Sequence, residues 1–233
     1  MSSPLPPAGV AAGAPDAAPS ETVEGQPRPG PLRVLLTGAN GYIGMRLLPL
    51  LLEAGHQVHC VVRDPQRFAV AHDPERGVWV HQADLLEPLD AADLPDRLDA
   101  AYYLVHSLST SGDFADLEAR AARNFADYLA GTGARQLVYL GGLGDDGALS
   151  QHLASRRHVE RVLREGEVPV TVLRAGIIVG SGSASFEIIR DLTEKLPVMV
   201  APKWLRSRTQ PIAVRDALAY LAGVLDEPRA MGE

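Results

Sequence analysis

One cysteine, Cys60, is the only thiol in 233 residues, so no disulfide can form within the chain. A cysteine-stapled scaffold of the secreted kind is excluded, and a reducing, cytoplasmic setting is expected. Long apolar runs are missing as well. No stretch approaches the roughly 18–20 residues that cross a bilayer, and the N-terminus has neither a basic n-region nor an apolar h-region, so no membrane association or secretion is expected. Positive charge is in deficit, with 22 Lys and Arg against 29 Asp and Glu, a net −7. That balance offers no footprint for nucleic acid or an anionic membrane surface and leaves small molecules or proteins as partners. The seven histidines show no HxxxH or HxH arrangement with carboxylates nearby, so no metal site is expected. No repeat of 20 to 50 residues marks a solenoid or propeller.

At 46% apolar composition, 233 residues suffice for one domain with a sizeable core. Residues 1–31 hold eight prolines, six alanines and four glycines, with only Leu5, Val10 and Val23 as large aliphatics. Such a segment cannot bury enough surface to offset its ordering entropy and is expected to be a flexible tail. From Leu32 onward short apolar runs alternate with helical patterns. Strands are predicted at Arg33–Thr37, Gln57–Val62, Val78–His81, Ala100–Val105, Gln136–Leu140 and Val170–Arg174. Helices are predicted at Tyr42–Ala54, Asp113–Ala130 and Leu149–Glu165, the first two closed by Gly55 and Gly131. Runs such as "RVLL" and "LVYL" suit strands covered on both faces. The fold class expected is α/β, a doubly wound parallel sheet over residues 32–175. Residues 176–233, with helices near Ala184–Lys195 and Val214–Leu225, are expected to form a small substrate-side cover in the same domain.

Directly after the first strand comes "TGANGYIG", whose glycines at 38, 41 and 44 stand three apart. In a strand-turn-helix unit one glycine permits the tight turn, a second lets backbone approach a pyrophosphate, and a third lets helix pack on strand. The helix start then turns unpaired N–H groups toward phosphate. Thr37, Gly38, Asn40, Gly41, Tyr42, Ile43 and Gly44 are therefore expected to hold a dinucleotide. No "GK[ST]" follows the glycines, which argues against an ATPase.

The GxxGxxG spacing, with "VVRDP", "ADLLEP", "YYLVHS", "SRRHVE", "LRAGIIVGSGSASFEIIRDL" and "RSRTQPI", resembles the extended and atypical short-chain dehydrogenase/reductases, in particular the NmrA-like NAD(P)H-binding proteins. The last two stretches look like bacterial nucleoside-diphosphate-sugar-epimerase-like proteins. The resemblance spans about Leu32 to Leu225. Longer members of that subgroup continue further, so the pocket here is expected to be open or completed by another chain.

After the second strand stand Arg63, Asp64 and, four positions past Arg63, Arg67. An arginine there accommodates a ribose 2′-phosphate and an acid a free 2′-OH, so Arg63 favours NADP while Asp64 keeps NAD open; Arg67 reads equally as a solvated charge. The resemblance implies that Asp84 and Leu85 meet the adenine, although Asp84 also reads as a helix cap. It further implies that Val105, His106 and Ser107 line the ribose and that Arg174 to Gly176, an "LRPG"-like stretch with Ala175 for the proline, lie near the nicotinamide.

Catalytic members of the resembled family carry a serine after the fifth strand and a Tyr-x-x-x-Lys pair on the next helix. Here Gly141 and Gly142 stand in for the serine, and aligning "SRRHVE" puts His152 at the tyrosine and Arg156 at the lysine. Four residues apart, the two share a helix face. Arginine can grip a ribose hydroxyl but has no usable deprotonated form, and a histidine shuttles protons near neutrality. The alternative is an exposed helix face with no chemistry. "GSGSAS" lacks the strand-to-helix elbow of a serine nucleophile; Ser181, Gly182 and Ser183 are expected to form a loop and helix cap beneath the nicotinamide. Arg206 and Arg208 either line an anionic substrate pocket or pair with Glu187 or Asp191. The function expected is an NAD(P)(H)-dependent oxidoreductase acting on a small carbonyl or sugar-like compound, or else a non-catalytic NADP(H)-binding redox sensor with a regulatory protein partner.

Overall fold

The computed structural model describes residues 30–90, 92–106, 114–144, 150–195 and 210–233. Ser107, Arg206, Arg208 and all but the last two residues of the 1–31 segment lie outside the described residues. In chain order the elements are β1 (Arg33–Thr37), α1 (Gly44–Glu53), β2 (Gln57–Val62), β3 (Val78–Gln82), β4 (Ala100–Tyr103), α2 (Phe114–Ala130), β5 (Gln136–Gly142), α3 (Gln151–Arg164), β6 (Val170–Ala175), β7 (Ile178–Val179), α4 (Ala184–Lys195), β8 (Ile212–Ala213) and α5 (Val214–Gly223).

Strand alternation explains the layering. Leu35, Tyr103, Leu137 and Tyr139 point to one face, where they pack on Ala122, Phe125 and Leu129 of α2 and Val159, Val162 and Leu163 of α3. Val34, Leu36, Cys60, Tyr102 and Val138 point to the other, against Leu47, Leu48 and Leu51 of α1 and Leu218 and Leu221 of α5. Burial pushes the Cys60 thiol up to about 12, which leaves it a core residue rather than a nucleophile. Pro49 sits inside α1 and costs that helix about 3 kcal/mol. Leu47, Leu48 and Leu51, at most 2% exposed, each contribute about 2 kcal/mol of apolar burial and outweigh it.

All strands of the six-stranded sheet pair in parallel, in the order β3-β2-β1-β4-β5-β6. The order reverses between β1 and β4, which makes the carboxyl ends of those strands the topological switch point, where doubly wound sheets take ligands. β4 ends at Tyr103, two residues before the sequence expectation, because the Thr37 hydroxyl donates to Tyr102 O (2.9 Å) and accepts from Leu104 N–H (3.3 Å) in place of further ladder bonds. α2 does not close on a left-handed Gly131. The left-handed residue is Gly133 (φ 76°), while Gly131 N–H donates to Tyr128 O (3.2 Å) in a tightened last turn. After β6, β7 and β8 form a separate two-stranded parallel sheet. Among the described residues, no helix is long and apolar enough to cross a membrane.

Candidate functional site

Each glycine of the turn after β1 has a physical reason. Gly38 is left-handed (φ 68°), and a Cβ there would lie 2.8 Å from Leu104 O. A Cβ at Gly44 would collide with the Gly38 carbonyl oxygen, so only hydrogen lets α1 pack so close to the strand end. Gly41 N–H donates back to Gly38 O (2.9 Å) and tightens the turn. Among the described residues, the N–H groups of Asn40, Tyr42, Ile43 and Gly44 have no backbone acceptor, and no side chain caps the start of α1. Donors left over at a helix start, on backbone too crowded for side chains, suit an anion.

That turn opens on a cavity of about 410 Å³ whose lining includes Thr37, Gly38, Asn40, Gly41, Arg63, Asp84, Leu85, Val105 and His106. Nine of the expected cofactor positions, drawn from β1, β2, β3 and β4, are thus brought to one space. The neighbours of Arg63 are set apart from it. Asp64 Oδ1 accepts from Gln66 N–H (3.0 Å) and caps the short 3₁₀ turn Pro65–Arg67, and neither Asp64 nor Arg67 reaches the cavity. Asp84 lines the cavity, but it caps no helix: none follows it before β4, and its Oδ1 accepts from Leu86 N–H (3.0 Å) within a turn after β3.

His106 closes the β4 end. Its Nε2 lies 3.0 Å from Leu140 O, which can only accept, so Nε2 carries the proton and Nδ1 is the acceptor. Burial first and then the Arg156 charge hold the imidazole down at about 4, against the opposing bond to Leu140. The ring is neutral at physiological pH.

A second cavity, about 260 Å³, lies over β5 and β6 and is lined by Gly142, Leu143, Ser150, His152, Leu153, Arg156, Ala175, Gly176 and Ile177. Here His152 and Arg156 come together, as their spacing requires. Ser150 caps α3, its Oγ accepting from Leu153 N–H (3.3 Å), and Tyr139 OH donates to Arg156 O (3.1 Å). These bonds fix the first turns of α3 against β5. Of Gly141 and Gly142, the two positions expected to stand in for a serine, a Cβ at Gly141 would meet only side-chain atoms at 3.4–3.6 Å, while Gly142 is the more crowded. A Cβ at Gly142 would lie 2.5 Å from Leu153 Cδ1 and 3.4 Å from Arg156 Cδ.

Several expected site residues are not brought to either cavity. Tyr42 folds away from the first: Arg46 lies over its ring at 3.9 Å and donates to Ser181 O (3.0 Å). A Cβ at Gly180 would lie 2.5 Å from the Tyr42 hydroxyl. The Ser181–Ser183 loop therefore rests on the start of α1, with Gly182 N–H donating to Glu187 Oε1 (3.2 Å) and Ser183 Oγ to Ile178 O (2.8 Å). Ile43 packs against the α1 face of the core, and Gly44 serves packing. The Arg174 guanidinium is held by Glu160, Nη2 to Oε1 at 2.5 Å and Nε to Oε2 at 3.3 Å, and stands clear of both linings.

Sequence reasoning missed Glu118, Tyr103 and Asn124. Glu118 and Tyr103 line the first cavity, and Asn124 Nδ2 donates to Leu85 O (2.9 Å), fixing the turn that carries Asp84. Glu118 left a signal: it stands on the inward stripe of α2 followed by Ala122, Phe125 and Leu129, where an acid is out of place unless it has work to do.

A family model described as NAD(P)H-binding matches residues 38–200. No curated protein matches by sequence. WbmG of Bordetella bronchiseptica, solved in complex with NAD, superposes with a TM-score of 0.71 at 18% identity over 88% of this chain and 72% of that one. The epimerase Mth375 of Methanothermobacter thermautotrophicus gives 0.69 at 15% over 88% and 70%. MoeE5, solved with UDP-glucose and NAD, gives 0.63 at 20% over 82% and 70%. At these identities the likeness is one of fold. With a family match that starts at the first glycine of the turn and covers most of the chain, and a parallel sheet whose switch point opens on that turn, this chain belongs to the NAD(P)H-binding family and has its Rossmann-like fold.

Proposed function

We propose that the switch-point cavity holds NADP(H) and that the chain is an oxidoreductase acting on a small carbonyl or sugar-like compound. The observation that carries the choice of NADP is that Arg63 lines the cavity while the Asp64 carboxylate is engaged as a cap. A guanidinium binds a phosphate through two oxygens at once, so Arg63 reads the 2′-phosphate and Asp84 the adenine, which puts the adenosine half over β2 and β3. Two of the solved neighbours carry NAD, so the preference rests on Arg63. A sugar-like substrate is favoured by the UDP-glucose bound to MoeE5.

The crowded glycines and orphan N–H groups suit a pyrophosphate, and the cofactor, when bound, supplies a hydride donor or acceptor. The chain supplies the rest. Arg156 holds a ribose hydroxyl, and His152 moves a proton to or from the substrate oxygen, as a histidine can near neutrality. The lone Cys60, buried, suits a reducing cytoplasm.

A second reading follows from the end of β5. With Gly141 and Gly142 at that end and so no serine there to orient a carbonyl, the chain binds NADP(H) without turnover and signals its redox state through residues 181–211. Screening NADPH consumption over a panel of carbonyl and nucleotide-sugar substrates tests both. Turnover supports the oxidoreductase. Its absence, with unequal affinities for oxidised and reduced cofactor, supports the sensor.

A further inference from the structure

The second cavity holds a positive charge without a counter-charge. Arg156, half-buried, lines it, and among the described residues no carboxylate lies within ion-pair distance of its guanidinium. Its bond with Tyr139 is made through its backbone carbonyl and leaves the guanidinium unused. The Arg156 charge acts on His106 and Tyr139, and burial keeps both rings neutral. Glu118 and Glu160, whose charges also reach Tyr139, are engaged elsewhere: Glu160 by Arg174 and Arg164, Glu118 by the Ser155 hydroxyl. No Asp or Glu among the described residues lines the cavity. The start of α3 adds to the positive sign. Ser150, its cap, stands in the lining, so the positive end of a 14-residue helix faces the same space. The Ser150 hydroxyl, which accepts from Leu153 N–H (3.3 Å), still has its own proton to give.

A guanidinium cannot shed its charge, and a charge drawn out of water without a counter-charge is unfavourable. A ribose hydroxyl takes one of its N–H groups and leaves the charge unmet. The pyrophosphate does not meet it either, because its cradle belongs to the first cavity. The counter-charge is left to the second ligand. The planar fork of a guanidinium matches the two coplanar oxygens of a carboxylate, and a cavity of about 260 Å³ has room for a small acid. We infer that Arg156 and the start of α3 make this cavity a carboxylate site, and that the compound acted on is a small oxo acid whose carbonyl, next to the anchored carboxylate, comes beside His152. The anion site stands on these residues alone; that its occupant is a substrate rests on the oxidoreductase reading above.

The test is thermal unfolding of the full chain and of Arg156→Gln at fixed ionic strength, with pyruvate, pyruvamide and inorganic phosphate as probes. Pyruvamide has the shape of pyruvate without its charge. Pyruvate should raise the wild-type Tm saturably, by about a few degrees at ten times its Kd, and pyruvamide should not. Arg156→Gln should weaken pyruvate roughly tenfold or more, the loss of a charge-assisted pair. Equal effects of pyruvate and pyruvamide on the wild type overturn the inference, whether or not the variant folds. So does a pyruvate effect that Arg156→Gln, still unfolding cooperatively, leaves unchanged. Phosphate bound more tightly than pyruvate, and lost in Arg156→Gln, overturns the assignment to a carboxylate. A separate NADPH titration reports on the cofactor: NADPH bound without a preference for pyruvate overturns the inference alone, and pyruvate bound through Arg156 without NADPH supports the anion site and overturns the oxidoreductase.

Discussion

The cavity over β1 to β4 and the cavity over β5 and β6 share one edge of one sheet, yet the first is shaped by backbone and the second by side chains. At the first, the residues that matter are those whose Cβ would not fit, Gly38 and Gly44, and the donors that nothing else uses. At the second, side chains make the lining: His152 and Arg156, four residues apart on α3, stand beside Leu153, whose Cδ1 lies where a Cβ at Gly142 would reach. A backbone cradle tolerates almost no substitution and works for any chain that reproduces it. A side-chain site can be re-equipped position by position on the same scaffold, and this is why membership of a family is easier to establish than a reaction.

The comparison can be broken at four points. If the second cavity carries chemistry, His152→Ala should lower turnover by about 10²–10⁴-fold with cofactor affinity unchanged, measured by steady-state kinetics beside calorimetry; an unaltered rate removes His152 from the reaction. At the first cavity, Gly44→Ala forces a Cβ onto the Gly38 carbonyl and should cost about 3 kcal/mol of stability, read from urea unfolding. A variant as stable as the wild type would mean that the turn yields. Arg63→Ala should weaken NADPH by roughly 10- to 100-fold, the loss of a charge-assisted contact of about 1.5–3 kcal/mol, while NADH is unaffected. Equal losses for both would move Arg63 away from the 2′-phosphate.

The smallest expected effect is pH dependence. Burial lowers His59 to about 4, with His81, Arg33 and His72 adding, and His106 is likewise held near 4. Each is neutral in the fold and takes up a proton more readily when unfolded, so the unfolded chain binds more protons between about pH 4 and 6.5. Stability conferred by the neutral rings is therefore full above 6.5 and falls as pH drops through that window, by at most about 1.4 kcal/mol per pH unit for each. Thermal unfolding followed from pH 8 to 4.5 should show the decline, and His59→Gln should flatten it. A profile level across that range would mean the rings are charged or solvated in the fold.

How legible all this is in the sequence follows from the same contrast. The central strands carry apolar runs because helices cover both faces, and β1 and β2 have the bounds the pattern predicts. The glycine turn is legible because each missing side chain answers a local steric demand. What the sequence hides depends on long-range pairing. Arg174 is taken by Glu160, 14 positions away, and nothing in an "LRPG"-like stretch announces that. Tyr42 is turned aside by a loop at residues 180–183. β7 and β8, two residues each, have too short a run for any periodicity. Leu153 is an ordinary helix leucine until β5 is seen to run on through Gly142 beneath it.

The central claim is that amide groups at the start of α1 and the Arg63 guanidinium together bind a 2′-phosphorylated pyridine dinucleotide. Calorimetric titration of the full chain with NADPH and then NADH tests it most directly. The account predicts saturable binding of NADPH at least roughly tenfold tighter than of NADH. No heat with either at millimolar concentration, or tighter binding of NADH, would contradict it.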